Sequence, residues 1–210
     1  QLDVHGLENH YQVHGLGAPV VARLRDMPEQ LAAHGGVFNS FQYYYGLTAF
    51  LETSGGGSGP VDVALRLLDP RQETVSVDGQ AVILAADLSA SLAVVLGEID
   101  PEQYGERGMF RPGSYLELTG LYVPEPYRND QIPLVIVHGL GATVGTFAEL
   151  ANDLVGDPEL RSRYQLWFFN FPSGLTYAYS AVLLGRALDQ ARDRFDPDHD
   201  NPDMDRMVVL

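Results

Sequence analysis

Chemistry in this sequence concentrates where an apolar run meets glycine. Ile132-Pro-Leu-Val-Ile-Val137 leads directly into His138-Gly139-Leu140-Gly141. Leu134 to Val137 contain no polar break, the pattern of a strand buried on both faces. Glycine permits a sharp turn and a close approach of backbone N–H groups to a ligand. With the helix-like segment Thr146 to Val155 behind it, this loop would aim main-chain donors at a developing oxyanion, where one lost donor costs about 3 kcal/mol. The competing reading is a tight strand-to-helix turn without chemistry.

Other reactive groups are weaker candidates. Ser173, in Pro172-Ser-Gly174, follows a strand but lacks a Gly-x-Ser-x-Gly setting, and Ser180 falls in the first turns of a helix. Neither has an evident histidine partner. Asp196-Pro-Asp-His-Asp-Asn-Pro-Asp203 groups carboxylates with His199 at Asp-x-Asp spacing. It lacks the glycine and distal glutamate of a calcium-binding loop, and reads as a solvated link without metal. Ser54-Gly-Gly-Gly-Ser-Gly-Pro60 lacks the lysine and Ser/Thr of a phosphate-binding loop and reads as a hairpin connection. His5, His10, His14 and His34 have no metal-ligand spacing.

The elements that would position these groups change character along the chain. In residues 1–125, Gly15 to Leu24 reads as a turn entering a short strand, Val61 to Leu68 alternates as a half-exposed strand should, and further strands are expected around Gln42 to Glu52, Glu73 to Val77, Gln80 to Leu84 and Tyr115 to Val123. Asp78-Gly79 marks a hairpin turn. Asp87 to Gly97 reads as a short helix capped by Asp87 and stopped by Gly97. From residue 126 the order becomes strand, helix, strand, helix, strand, the signature of βαβ units. Tyr164 to Asn170 is the second strand, Ala178 to Phe195 the long helix, and Arg206 to Leu210 a further buried strand. The predicted fold class is α/β: a β-rich amino-terminal region, 1–125, followed by a partial parallel-sheet domain, 126–210.

Residues 132–210 resemble the first half of an α/β-hydrolase domain of the lipase/esterase kind. The resemblance rests on the His138-Gly-Leu-Gly141 loop and the helices and strands after it. The segments Leu121 to Tyr127 and Phe169 to Gly174 are similar to a bacterial envelope-associated branch of these enzymes. The resemblance implies hydrolysis of carboxylic esters, small-molecule or lipid, through a serine acyl-enzyme, with no cofactor. Leu140 would supply one oxyanion donor with Gly141 as its neighbour, while His138 and Gly139 would shape the loop. Nucleophile, acid and base would follow the next parallel strand, in the order Ser, Asp/Glu, His. No residue here is then a catalytic triad member, and the remaining half of the domain is expected in the same chain or a second one. A non-catalytic binding or assembly domain on the same scaffold is the alternative. The resemblance also suggests the cell envelope or periplasm and admits association with a membrane surface.

Composition narrows the partners. The formal charge is −15, and every basic side chain is arginine. Nucleic acid is excluded as a partner, since phosphate contact needs a positive face. There is no cysteine, hence no disulfide or thiolate nucleophile. No apolar run approaches the ~18 residues of a membrane span, and no signal-peptide pattern opens the sequence. A sequence starting at Gln1 rather than methionine is expected to follow a removed segment.

Overall fold

The computed structural model describes residues 7–24, 43–54, 61–72, 74–77, 79–98, 119–123, 125, 127–139, 142 and 144–210. Its strands are β1 (Gln12–Val13), β2 (Ala18–Leu24), β3 (Tyr43–Ser54), β4 (Asp62–Leu68), β5 (Thr74–Val77), β6 (Gln80–Ile83), β7 (Ala86–Asp87), β8 (Gly120–Tyr122), β9 (Ile132–Val137), β10 (Tyr164–Asn170) and β11 (Val208–Val209). Its helices are α1 (Ala90–Glu98), α2 (Ala148–Gly156), α3 (Pro158–Arg163) and α4 (Tyr177–Phe195). The class is mixed α/β, with three small antiparallel sheets and one mixed sheet ordered β11-β9-β10-β8. In the mixed sheet β10 and β11 both run parallel to β9, and β8 is antiparallel to β10.

Side-chain alternation along β9 and β10 explains the layering. Val135, Trp167 and Phe169 point to one face and meet Leu183, Ala187 and Ala191 of α4. Ile136 and Phe168 point to the other and meet Ala151 of α2 and Leu92 of α1. Each helix has a local cause. Thr176 Oγ1 accepts the Tyr179 N–H at the start of α4, and apolar residues recur at every fourth position toward the sheet. Asp157 caps α3 by accepting the N–H groups of Glu159 and Leu160, with Pro158 in the first turn. Arg161 Nη1 then donates to the Val155 carbonyl at 2.7 Å, satisfying the end of α2.

Residues 9–13 strap the amino-terminal part onto α2. Asn9 Nδ2 and Tyr11 O–H both donate to Asp153 Oδ1, at 3.0 and 2.7 Å, and Asn152 Nδ2 donates to the Asn9 carbonyl at 2.7 Å. Gly156 leaves room for the Tyr11 ring, since a Cβ there would lie 2.6 Å from its carbons. On its other side the strap joins β7, where the Leu88 N–H donates to the Tyr11 carbonyl. The β-rich part and the mixed sheet thus pack against each other, although chain order changes near residue 125.

Four expectations need correction. The strand expected to be buried at Arg206 to Leu210 is the short β11, whose Val208 and Val209 are exposed, because β11 is an edge strand paired only with β9 among the described residues. Asp87 does not cap α1: it lies in β7 opposite Gln12, and its carboxylate binds His10 and Gln12. Gly97 does not stop that helix, which runs through Glu98. The alternation in β4 predicts a half-exposed strand, but Asp62 through Leu67 are exposed on both faces. Residues 115–118 of the expected strand before Val123 lie outside the described residues.

Ala187 touches the sheet with no exposed surface, so Ala187→Leu should overpack this layer and cost about 1–3 kcal/mol. The exposed Ala178→Leu should shift stability by less than about 0.5 kcal/mol. Urea unfolding followed by emission of Trp167, the sole tryptophan, measures both; equal midpoints would contradict this seating of α4.

Candidate functional site

β9 occupies the inner position of the parallel strands. The chain leaves it over the face covered by α2 to reach β10, then returns over the opposite face through α4 to reach β11 on the other side. The two crossovers therefore leave the carboxyl ends of the adjacent strands β9 and β10 toward opposite faces. In open α/β sheets that divergence opens a crevice where ligands bind. β11 is tied to its neighbour through Leu210, whose N–H donates to the Val135 carbonyl while its carbonyl accepts the Val137 N–H.

The first residue beyond β9 is His138, which is buried. Its Nδ1 lies 3.1 Å from the Gly139 carbonyl, and its Nε2 accepts the Phe171 backbone N–H at 3.2 Å. A carbonyl only accepts and an amide N–H only donates, so the proton sits on Nδ1 and Nε2 is bare. The ring also stacks on Phe171, with centroids 4.3 Å apart and planes 9° from parallel. His138 thus pins the loop after β9 to the loop after β10. Burial holds its pKa below the ordinary 6.5, outweighing the Gly139 and Asn170 hydrogen bonds that pull it up. A proton on Nε2 would point at the Phe171 N–H. With both nitrogens engaged by the fold, this imidazole is a clamp and not a general base.

Gly139 is exposed, and its carbonyl also accepts the Ala142 N–H at 3.2 Å. A Cβ at Gly139 would meet nothing within 4 Å, and its φ is not in the left-handed range, so local sterics do not demand glycine here. Leu140 and Gly141, the expected oxyanion positions, lie outside the described residues.

Both candidate serines are buried. Ser173 is buried in a loop where the Leu175 N–H donates to the Pro172 carbonyl. Ser180 is buried on α4, and its Oγ has no hydrogen-bond partner. In the acidic run, Asp196 Oδ1 accepts the N–H groups of Asp200 and Asn201 at 3.0 and 3.2 Å, so it shapes its own loop. His199 accepts from Arg192 Nε at 2.9 Å. Among the described residues no three His, Asp or Glu side chains converge as a metal site. Sequence reasoning placed the His138 loop but missed its partners Asn170 and Phe171, which lie across a crossover and carry no local signal.

No family model, curated protein or solved structure matches the chain.

Because the folded state resists protonating His138, the unfolded chain binds more protons as pH falls below 6.5. Stability conferred by the neutral ring is complete above that pH and drains away on acidification, at most by ~1.4 kcal/mol per pH unit. Urea midpoints at pH 7 and pH 5 should therefore differ more in the parent chain than in His138→Gln. Parallel pH profiles would rule out this clamp as an acid-sensitive element.

Proposed function

We propose that this chain is the oxyanion-loop part of a serine hydrolase acting on carboxylic esters, lipids among them, built on an α/β-hydrolase-type sheet. The observation that carries the reading is the position of His138 and Gly139 at the carboxyl end of β9, where the chain leaves for one face of the sheet while it leaves the neighbouring β10 for the other. A glycine-containing strand-to-helix loop there suits a donor for an acyl oxygen. The order β10-β9-β11, with α2 and α4 on opposite faces, supports the sheet assignment. The neutral, doubly bonded His138 supports a loop held rigid before substrate arrives, as electrostatic stabilisation of a transition state requires.

In this reading Leu140 N–H is one oxyanion donor, Gly141 its neighbour, and His138 and Gly139 fix the turn. The second donor follows the nucleophile. The 210 residues contain no Gly-x-Ser-x-Gly segment, so the nucleophile, acid and base come from a segment outside them, in the same chain or a second one. Association with a membrane surface and a place in the cell envelope belong to the same proposal.

The 210-residue chain alone should leave a p-nitrophenyl ester unhydrolysed and take up no fluorophosphonate probe. Stoichiometric labelling of any of its serines would defeat the assignment. Joined to a segment that supplies Gly-x-Ser-x-Gly, it should hydrolyse the ester. Leu140→Pro, which deletes the donor N–H, should then lower kcat by about 100- to 1000-fold with little change in KM. Full activity in that variant would remove Leu140 from the oxyanion hole.

A further inference from the structure

The antiparallel sheet β2-β3-β4 narrows along its length. β2 pairs with β3 only as far as Ala18 opposite Ala49. Beyond that point, Phe50 to Ser54 of β3 pair with Asp62 to Arg66 of β4 alone. A two-stranded ribbon is marginal in water, and a third strand or a covered apolar face is what normally stabilises it. This ribbon has neither among the described residues. Leu51, Val63, Leu65 and Leu67 share its outer face and are each more than half exposed. The opposite face carries Glu52 and Arg66, joined at 2.8 Å and themselves exposed. Among the described residues the far edge of β4 pairs with no strand.

We propose that β4 pairs antiparallel with β4 of a second copy of this chain, about a two-fold axis through Ala64. Such an axis keeps each face of the sheet on its own side, so odd residues meet odd and even meet even. Centred on Ala64, the register puts Asp62 opposite the partner's Arg66 and Arg66 opposite the partner's Asp62. On the apolar face, Val63 meets the partner's Leu65 and Val61 meets the partner's Leu67. Moving the axis by one residue sets Asp62 opposite Ala64, and Arg66 then lacks an acidic partner. Each Arg66 would lie between its own Glu52 and the second copy's Asp62, giving alternating signs across the sheet. The free edge of β3 offers no such match: its only charge in this stretch is Glu52, and self-pairing about it sets like charges together. Complementary charge thus selects a single self-pairing edge and register. The product is a four-stranded ribbon in a closed, isologous dimer. A chain of net charge −15 is poorly suited to the competing occupant, an anionic lipid surface.

Ala64 is exposed and stands opposite Glu52 within its own sheet, so circular dichroism of each variant checks first that the fold is kept. Sedimentation velocity at tens of micromolar should show a dimer for the parent chain. Ala64→Lys and Ala64→Glu each set like charges face to face on the axis and should weaken association by about tenfold or more. Mixing the two variants in equal amounts should restore a dimer, because every axis then pairs Lys with Glu. A monomeric parent chain, open-ended aggregates, a dimer unaffected by Ala64→Lys, or failure of the mixture to re-associate would each overturn the proposal. Flotation of a monomeric parent chain with phosphatidylcholine vesicles would assign the ribbon to lipid instead.

Discussion

β9 meets water on neither face, and that constraint organises the molecule. Ile132 through Ile136 are buried, and burying a single valine, leucine or isoleucine contributes ~1.5–3 kcal/mol. A strand of this kind needs neighbours on both edges and a helix layer above and below. β10 and β11 supply the edges; α4 closes one face while α1 and α2 close the other. Once both faces are taken, the chain must cross from one side to the other between β10 and β11. The carboxyl end of β9 thereby lies beside that of β10, from which the chain departs toward the opposite face.

The parts legible in the sequence are those whose burial is two-sided or whose turn chemistry is local. The unbroken Leu134–Val137 run, the aromatic Tyr164–Asn170 strand and the fourfold apolar spacing of the long helix agree with β9, β10 and α4. Asp78-Gly79 agrees with the Val77–Gln80 pairing and the positive φ of Gly79. Elements whose role depends on a distant partner were misread. Asp87 looks like a helix cap because aspartate before an apolar run often is one, yet its neighbours are His10 and Gln12, brought by β1. β4 has the period of a strand with one buried side, but periodicity does not say which side, if either, finds a cover.

The same distinction applies to the site. That His138 belongs to a strand-to-loop junction follows from a local pattern. That its ring is neutral, stacked and bonded at both nitrogens follows from Phe171, which the α2–α3 crossover delivers. The charged Asp69–Arg71–Glu125 group works alike: Arg71 donates to Asp69 beside it and to Glu125, 54 residues further on, at 2.8 and 2.7 Å. Burial would raise the Asp69 carboxyl, yet Arg71 holds it below its ordinary value.

The strap over α2 has a kinetic corollary. Tyr11 and Asp153 are 142 residues apart in sequence, so during translation at about 5–20 residues per second the strap emerges many seconds before its anchor exists. Until then β1 is unsheltered nascent chain, with a strand edge that attracts wrong partners. A molecular chaperone holding the first hundred residues in that interval would serve this protein more than one acting after release.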